Sequence, residues 1–387
     1  MKNTVQLNEF IMRYLDKLIG NSRPDMPLWN IEGIRAGKTL GWNYIDGCMI
    51  KGVLSMYKMT QDERYLRFAD EFIDYYIFKD GSIKGFSKDE FNIDSINEGK
   101  VLFELYKITG KDKYRKAIET VFGQLKEQPR TKEGNFWHKK IYPNQVWLDG
   151  IYMALPFYME YEVEYNNCKN FYDVYNQIMN VDRIMKDQKT GLTHHGYDES
   201  RSVFWCDKET GLSHTYWIRS LGWYVMALVD ILEIMEGKME DEFLNIKKIF
   251  IQAIDALLKY QDESGMWYQV LDFGGREGNY LETSGSAMYA YTLLKGVRLG
   301  YLNEEYREKG EKAFYGICEK YLTEKKGELN LGGICLVAGL GPEENKKRDG
   351  SYEYYISEPI VENDAKGVGP FLLAFIEIIW NSKKEFI

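Results

Sequence analysis

Two aspartates stand where the chain could hold a proton in an apolar setting. Asp149 lies in QVWLDGIYMALPF, residues 145–157, after a tryptophan and a leucine and at the start of an apolar run of helical period. An acid in that position is often a cap or a first-turn charge that answers the helix dipole. A carboxylate crowded by indole and aliphatic groups also loses water. Desolvation favours its protonated form, so such an acid can donate a proton near neutrality. Asp94, in FNIDSINEGKVLFELY at 91–106, opens a second helical run, again behind an apolar residue. Two acids at the starts of alternate helices are expected at one mouth of a helical barrel, which is what paired acid and base work on a sugar requires.

Other chemistry-bearing residues are few. The four histidines, His138, His194, His195 and His214, all fall in or beside loops. Each is as readily a side chain bonded to backbone as a functional group. His194 and His195 are adjacent and point different ways, so at most one faces a cavity. Arg219 lies in HTYWIRSLGWYVMAL, 214–228, between Trp217 and Trp223. A guanidinium between indoles suits a sugar carboxylate, and equally suits a buried ion pair with an inner acid. No HExxH or comparable spacing occurs, so no metal site is expected. GGREG at 274–278 and GLG at 339–341 lack a strand-turn-helix frame, and there is no GxSxG elbow. No cofactor is expected.

The elements that must position these residues are helices. Helical periodicity begins near residues 5, 42, 63, 95, 111, 148, 169, 215, 242, 281, 304 and 364. Between runs, similar separators recur: DGSIKGF at 80–86, EGNFWHKK at 133–140, DQKTGLTHH at 187–195, DKETGLSHTYW at 207–217, DESGMWYQV at 262–270 and, more weakly, GELNLGGIC at 327–335. Most carry an acid, a turn residue, a glycine and then a ring or imidazole. The pattern predicts an all-α fold, an (α/α)6 barrel of six helical hairpins with short extended loop pieces at one mouth. An open solenoid would not need aromatic loops on one side. With no linker or low-complexity stretch, residues 1–387 are expected to form a single catalytic domain. Pro156, inside a helical run, is expected to kink it.

Composition narrows the partners. The chain has 50 Lys and Arg against 59 Asp and Glu, a net charge of −9, with no basic run. That argues against nucleic acid and anionic membranes, and leaves any acidic ligand to local cations. The 30 Tyr, 19 Phe and 9 Trp fit either a large core or stacking on sugars, and composition alone favours the core. Five scattered cysteines, at 48, 168, 206, 318 and 335, read as buried thiols of a reducing compartment. The start, MKNTVQLNEFIMRYLDKL, lacks a long apolar run, so a cytoplasmic protein is expected.

At the segments around these residues the chain resembles glycoside hydrolase family 105, the unsaturated rhamnogalacturonyl hydrolases. FWHKKIYPNQVWLDGIYMALPF at 136–157 is the most specific match. GWNYIDG at 41–47, HGYDES at 195–200, HTYWIRSLGWYVMALVD at 214–230, LETSGSAMYAY at 281–291 and EYYISEPIVENDAKGVGPF at 353–371 follow in order. The resemblance implies an (α/α)6 barrel acting on an oligosaccharide that ends in a 4,5-unsaturated uronic acid, as in pectin degradation. It makes Asp149 the general acid/base and Asp94 the second active-site acid. It places Tyr44, Trp147, His195, Trp217, Arg219 and Trp223 along the substrate. Ile218 is larger than the residue expected there, which would reshape a subsite if it faced the pocket. The rivals are an unsaturated glucuronyl hydrolase acting on glycosaminoglycan or ulvan fragments, another barrel enzyme such as an epimerase or inverting glycosidase, and a non-catalytic sugar-binding scaffold that would need neither acid.

Overall fold

Helices that are apolar on every side must be enclosed, and those with one apolar stripe must lie outside them. Both kinds alternate in the computed structural model, which describes residues 4–38 and 40–384. The helices are α1 Thr4–Gly20, α2 Ile31–Ala36, α3 Tyr44–Thr60, α4 Glu63–Asp74, α5 Lys100–Thr109, α6 Asp112–Glu127, α7 Leu148–Tyr165, α8 Phe171–Met185, α9 Ile218–Met235, α10 Glu240–Leu258, α11 Thr283–Arg298, α12 Glu305–Tyr321, α13 Tyr352–Ser357 and α14 Ala365–Lys384. In α9 every residue from Ile218 to Leu232 is buried. In α4 only Tyr65, Ala69, Phe72 and Ile73 are. The enclosed helices form a closed ring. The turn before α5 packs on both α3 and α7, α7 on α9, α9 on α11, α11 on α14, and α14 returns to α3. Helices α4, α6, α8, α10 and α12 each pack outside the inner helix that precedes them. Helix α1 reaches the connection into α14, where Tyr14 Oη donates to Asn363 Oδ1 at 2.8 Å. The expected (α/α)6 barrel is the observed one.

Each outer-to-inner connection carries a short hairpin, so all of these connections gather at the N-terminal mouth of the inner ring. In the five connections after the first, the recurring glycines, from Gly81 to Gly327, sit at positive φ. Gly211, at φ 79°, could not carry a Cβ, which would lie 2.4 Å from the Asp198 carbonyl oxygen; at Gly265, φ 88°, the obstacle is the Lys312 carbonyl at the same distance. Strands are confined to these connections. They pair antiparallel as β1 Gln145–Trp147 with β2 Gly196–Asp198, β3 Leu322–Lys325 with β4 Glu328–Leu331, and β5 Ile334–Cys335 with β6 Ile360–Val361.

Three details differ from the sequence pattern. The run expected from residue 95 opens as a 3-10 turn, Ile93–Gly99, capped by the Asn92 side chain on the Asp94 amide, and becomes α-helical at Lys100. Here α3 comes so close that a Cβ on Gly47 would lie 2.7 Å from Glu98 Cα. Helices α2 and α13 went unseen because six residues hold too little periodicity to read. Of the cysteines, 48, 206 and 335 are buried, while 168 and 318 are only partly so. Pro156 lies within α7, where its missing N–H leaves the Tyr152 carbonyl without a helix donor. Lys100 Nζ supplies one, at 2.6 Å.

The opposite mouth is closed by charge. Asp230 of α9 is bonded by Lys51 of α3 and by Lys295 Nζ (2.6 Å) and Tyr291 Oη (2.7 Å) of α11. Burial opposes ionisation of Asp230, but the two ammonium groups outweigh it and hold the carboxyl far below its ordinary range. Beneath the N-terminal mouth lies a different pair. Asp46 accepts from Trp29 Nε1 (2.8 Å) and Asn43 Nδ2 (2.7 Å), and burial pushes its carboxyl up to about 7. Glu98 accepts from the Asn43 amide at 2.9 Å, its Oε1 has no partner, and burial followed by the Asp46 charge pushes it well above the usual range. Raised acids bind more protons folded than unfolded. Their stabilisation is therefore complete below the unfolded carboxylate range and is lost as pH rises through the folded values. Glu98→Gln keeps the acceptor for Asn43 and cannot ionise. Its melting temperature is expected to exceed that of the wild type at pH about 8, with the gain gone at pH about 5; an equal difference at both would contradict a titrating Glu98.

Candidate active site

The site is assembled by one strand pair. In the β1–β2 register Trp147 faces Gly196, and the Leu148 amide donates to the His195 carbonyl at 3.0 Å. This sets Asp149, in the first turn of α7, against His195. His195 Nε2 and Asp149 Oδ2 are 3.0 Å apart, yet neither atom makes an aligned hydrogen bond. The N-cap residue of α7 is Trp147, so Asp149 is a first-turn acid of that helix and not its cap. The other ring nitrogen, His195 Nδ1, is 2.7 Å from Tyr355 Oη. His195 is fully buried, while the Asp149 side chain keeps 15% of its surface exposed.

Asp94 stands nearby with different partners. Its Oδ2 is 2.6 Å from Lys139 Nζ, and its Oδ1 is 3.6 Å from His138 Nε2. Burial alone would raise the Asp94 carboxyl, but the Lys139 ammonium and then His138 hold it below the usual range. Burial pushes His138 down to about 4 despite Asp94. The imidazole is therefore neutral at pH 7, and Lys139 is the charge that counts. Both Asp94 and Asp149 act electrostatically on His138 and Lys139, which places the two acids at one mouth. The His138 ring lies 4.3 Å from Trp147, near parallel, and Tyr142 lies 4.9 Å from the same indole. Gly150 leaves room for His138, whose Nδ1 would be 3.0 Å from a Cβ there.

The other residues singled out in the sequence divide in two. Trp217 is buried beside His195 at 5.1 Å, stacks on Tyr355 at 5.8 Å and donates to Gln269 Oε1 at 3.2 Å. Tyr44, at the start of α3, is close enough to Asp94, Arg219 and Asp364 to feel their charges. Arg219, by contrast, is spent inside the protein. It donates to Ser284 Oγ (2.7 Å) and the Cys335 carbonyl and lies 3.6 Å from Glu282 Oε1, so the buried ion pair, one of the two roles open to it, is present. Trp223 stacks on Tyr152 at 4.7 Å in the barrel core, with 1% of its surface exposed. Ile218 is fully buried against Gly285 of α11. Of the histidines, His194 turns away to the Ser213 carbonyl at 2.6 Å and His214 is exposed. Sequence reasoning missed Lys139 and Tyr355 as site residues. Both lie in segments that carry the family resemblance, HKK and EYY, but their partners are 45 and 160 positions away.

A cavity of about 650 Å³ opens at the opposite mouth, far from these acids. Asp230, Glu233, Glu377, Lys51, Lys295 and Arg298 line it and pair with one another, so its size does not locate the chemistry. Among the described residues no three His, Cys, Asp or Glu side chains converge as a metal-ligand set, and no helix is long and apolar enough to cross a membrane.

Comparison with known proteins agrees with this architecture. Residues 26–381 match the model of Glycosyl Hydrolase Family 88. A solved glycoside hydrolase from family 105 of C. acetobutylicum ATCC 824 is 47% identical, with a TM-score of 0.85 over 94% of this chain and 99% of that one. Unsaturated rhamnogalacturonyl hydrolase YesR of Bacillus subtilis (strain 168) is 28% identical over 264 residues, 67% of this chain and 72% of that protein. Unsaturated glucuronyl hydrolase from Bacillus sp. GL1, at 14% identity and a TM-score of 0.65 over 96% of each chain, shares the fold. The chain belongs to glycoside hydrolase family 105, within reach of the family 88 model.

Replacing Lys139 by Met leaves Asp94 enclosed without its cation. The pair is partly exposed, so the cost lies between those of surface and buried pairs, about 1–3 kcal/mol at pH 7. Denaturant unfolding of the Lys139→Met variant reads it directly; a loss near zero would mean that Lys139 does not hold Asp94.

Proposed function

We propose that this glycoside hydrolase removes a terminal 4,5-unsaturated uronic acid, unsaturated galacturonate, from rhamnogalacturonan-derived oligosaccharides by hydrating the double bond. The observation that carries the reading is a pair of carboxylates with unlike surroundings at one mouth: Asp94 is ion-paired to Lys139, and Asp149 faces the His195 imidazole with Oδ2 unpartnered. Unlike surroundings are how one site separates acid from base work. The printed activity of the YesR relative supports the choice of sugar.

The chemistry follows from the substrate. The unsaturated ring is an enol ether whose carbon 4 is weakly basic, because the ring oxygen donates electrons. Asp149, protonated, delivers a proton to carbon 4, and positive charge develops at carbon 5 and the ring oxygen. Water adds at carbon 5 and returns a proton to the Asp149 carboxylate. The hemiketal opens to a ketone at carbon 5, which leaves carbon 1 as a hemiacetal, and its collapse to the aldehyde releases the rest of the chain as an alcohol. Asp94 stays ionised beside Lys139, and its negative charge favours the cationic transition state. With Arg219 engaged by Ser284, Cys335 and Glu282, the cation offered beside both acids is Lys139, which suits the sugar carboxylate. Trp147 and Trp217 flank the reacting ring. No cofactor enters these steps. The whole chain acts as one catalytic domain, in the cytoplasm, in the breakdown of pectin.

Wild-type protein is expected to consume unsaturated galacturonyl-rhamnose with loss of the alkene absorbance at about 235 nm and release of rhamnose. Asp149→Asn is expected to lower turnover by about 10²–10⁴-fold with an unchanged melting curve. Near-normal turnover in that variant would remove Asp149 from the role. Consumption of an unsaturated glucuronyl disaccharide alone would keep the mechanism and change the sugar.

A further inference from the structure

His195 sits between two groups that together fix where its proton resides. Its Nδ1 is 2.7 Å from Tyr355 Oη and its Nε2 is 3.0 Å from Asp149 Oδ2. A neutral imidazole carries one proton, on one nitrogen or the other. With that proton on Nδ1, the Tyr355 hydroxyl would accept it and would need another acceptor for its own hydrogen. Among the described residues Tyr355 Oη has no hydrogen-bond partner other than His195. A buried hydroxyl hydrogen without an acceptor is costly. With the proton on Nε2, Tyr355 donates to Nδ1 and nothing is stranded on that side.

Tyr355 is also held firmly enough to impose the choice. Its ring stacks on Trp217 at 14°, and its backbone carbonyl accepts from Gln269 Nε2 at 3.1 Å, while Gln269 Oε1 accepts from Trp217 Nε1 at 3.2 Å. One glutamine thereby locks the tyrosine and the indole as a unit. Burial, chief among several causes, pushes the Tyr355 phenol well above its usual range, so the hydroxyl keeps its hydrogen near neutral pH.

We infer that Tyr355 is a positioning residue that fixes His195 as the Nε2–H tautomer, so that the imidazole turns its one N–H toward the Asp149 carboxyl, whose Oδ2 lies 3.0 Å from Nε2. The inference deepens the proposed alkene hydration and rests on it for its catalytic consequence. The proton count closes. The Asp149 O–H bond breaks as the bond from hydrogen to carbon 4 forms, and the water that adds at carbon 5 returns its proton to the Asp149 carboxylate. His195 and Tyr355 keep their protons throughout. Neither gives its proton to the sugar; Tyr355 sets the imidazole, and the imidazole faces the acid.

The test uses the intact protein labelled with ¹⁵N-histidine, in which only four imidazoles need assignment. Long-range proton–nitrogen correlation reads each tautomer without reference to activity. The wild type is expected to show His195 protonated on Nε2. Tyr355→Phe, which removes only the hydroxyl, is expected to lose that single tautomer and to lower kcat by roughly tenfold or more, with KM nearly unchanged. Wild-type His195 protonated on Nδ1 would overturn the inference whatever the variant does. So would a Tyr355→Phe variant that keeps the Nε2–H tautomer, whether or not kcat falls, since a fall would then be structural. If the wild type turns over no unsaturated substrate, the functional reading fails, and the tautomer is still decided by the spectrum.

Discussion

The register of two three-residue strands carries the site. Side chains on paired strands alternate faces, so a slip of one residue between β1 and β2 would turn His195 away from Asp149 and bring His194 in its place. That slip is blocked from both sides. Gly196 has no room for a side chain, because a Cβ would lie 2.3 Å from Leu340 Cδ1, and Trp147 is fixed by its own bond to Gln145 Oε1 at 3.1 Å. His194 is occupied by the Ser213 carbonyl. The two strands come from different outer-to-inner connections, so the register also joins neighbouring hairpins of the barrel at the mouth where they must cooperate.

The barrel treats its two ends differently, and the difference is electrostatic. Far from the acids, Lys51, Asp230, Glu233, Lys295, Arg298 and Glu377 neutralise one another and tie together inner helices α3, α9, α11 and α14. Such a network holds helix ends in place but offers little to a ligand. At the N-terminal mouth the polar groups are sparser and less completely paired. Asp149 Oδ2, His195 Nε2 and His138 Nδ1 are all without an aligned partner in the protein. Native interiors rarely leave such atoms unsatisfied.

Much of this was legible in the sequence. The twelve long helices were readable because each repeats its apolar positions over three or more turns, and the turn glycines between them punctuate the same way each time. Asp149 and Asp94 stood out because each opens an apolar helical run, and His195 and Trp217 because the segments that hold them resemble family 105. Arg219 was ambiguous for the opposite reason: its partners, Ser284, Cys335 and Glu282, are more than sixty positions away, and only the fold decides between a sugar and an internal acid. Trp223 falls one turn below the mouth, a distinction that spacing along a buried helix does not draw. Lys139 and Tyr355 acquire their meaning only from long-range contacts to Asp94 and His195.

The central claim is that the enzyme adds a proton to an alkene carbon and does not attack the glycosidic bond directly. Turnover of unsaturated galacturonyl-rhamnose in deuterium oxide tests it most directly, with the product examined by NMR at early times. Hydration predicts that one deuterium appears at carbon 4, on one face only, in step with the loss of the alkene absorbance and the release of rhamnose. Rhamnose released while the alkene survives and carbon 4 gains no deuterium would contradict the account.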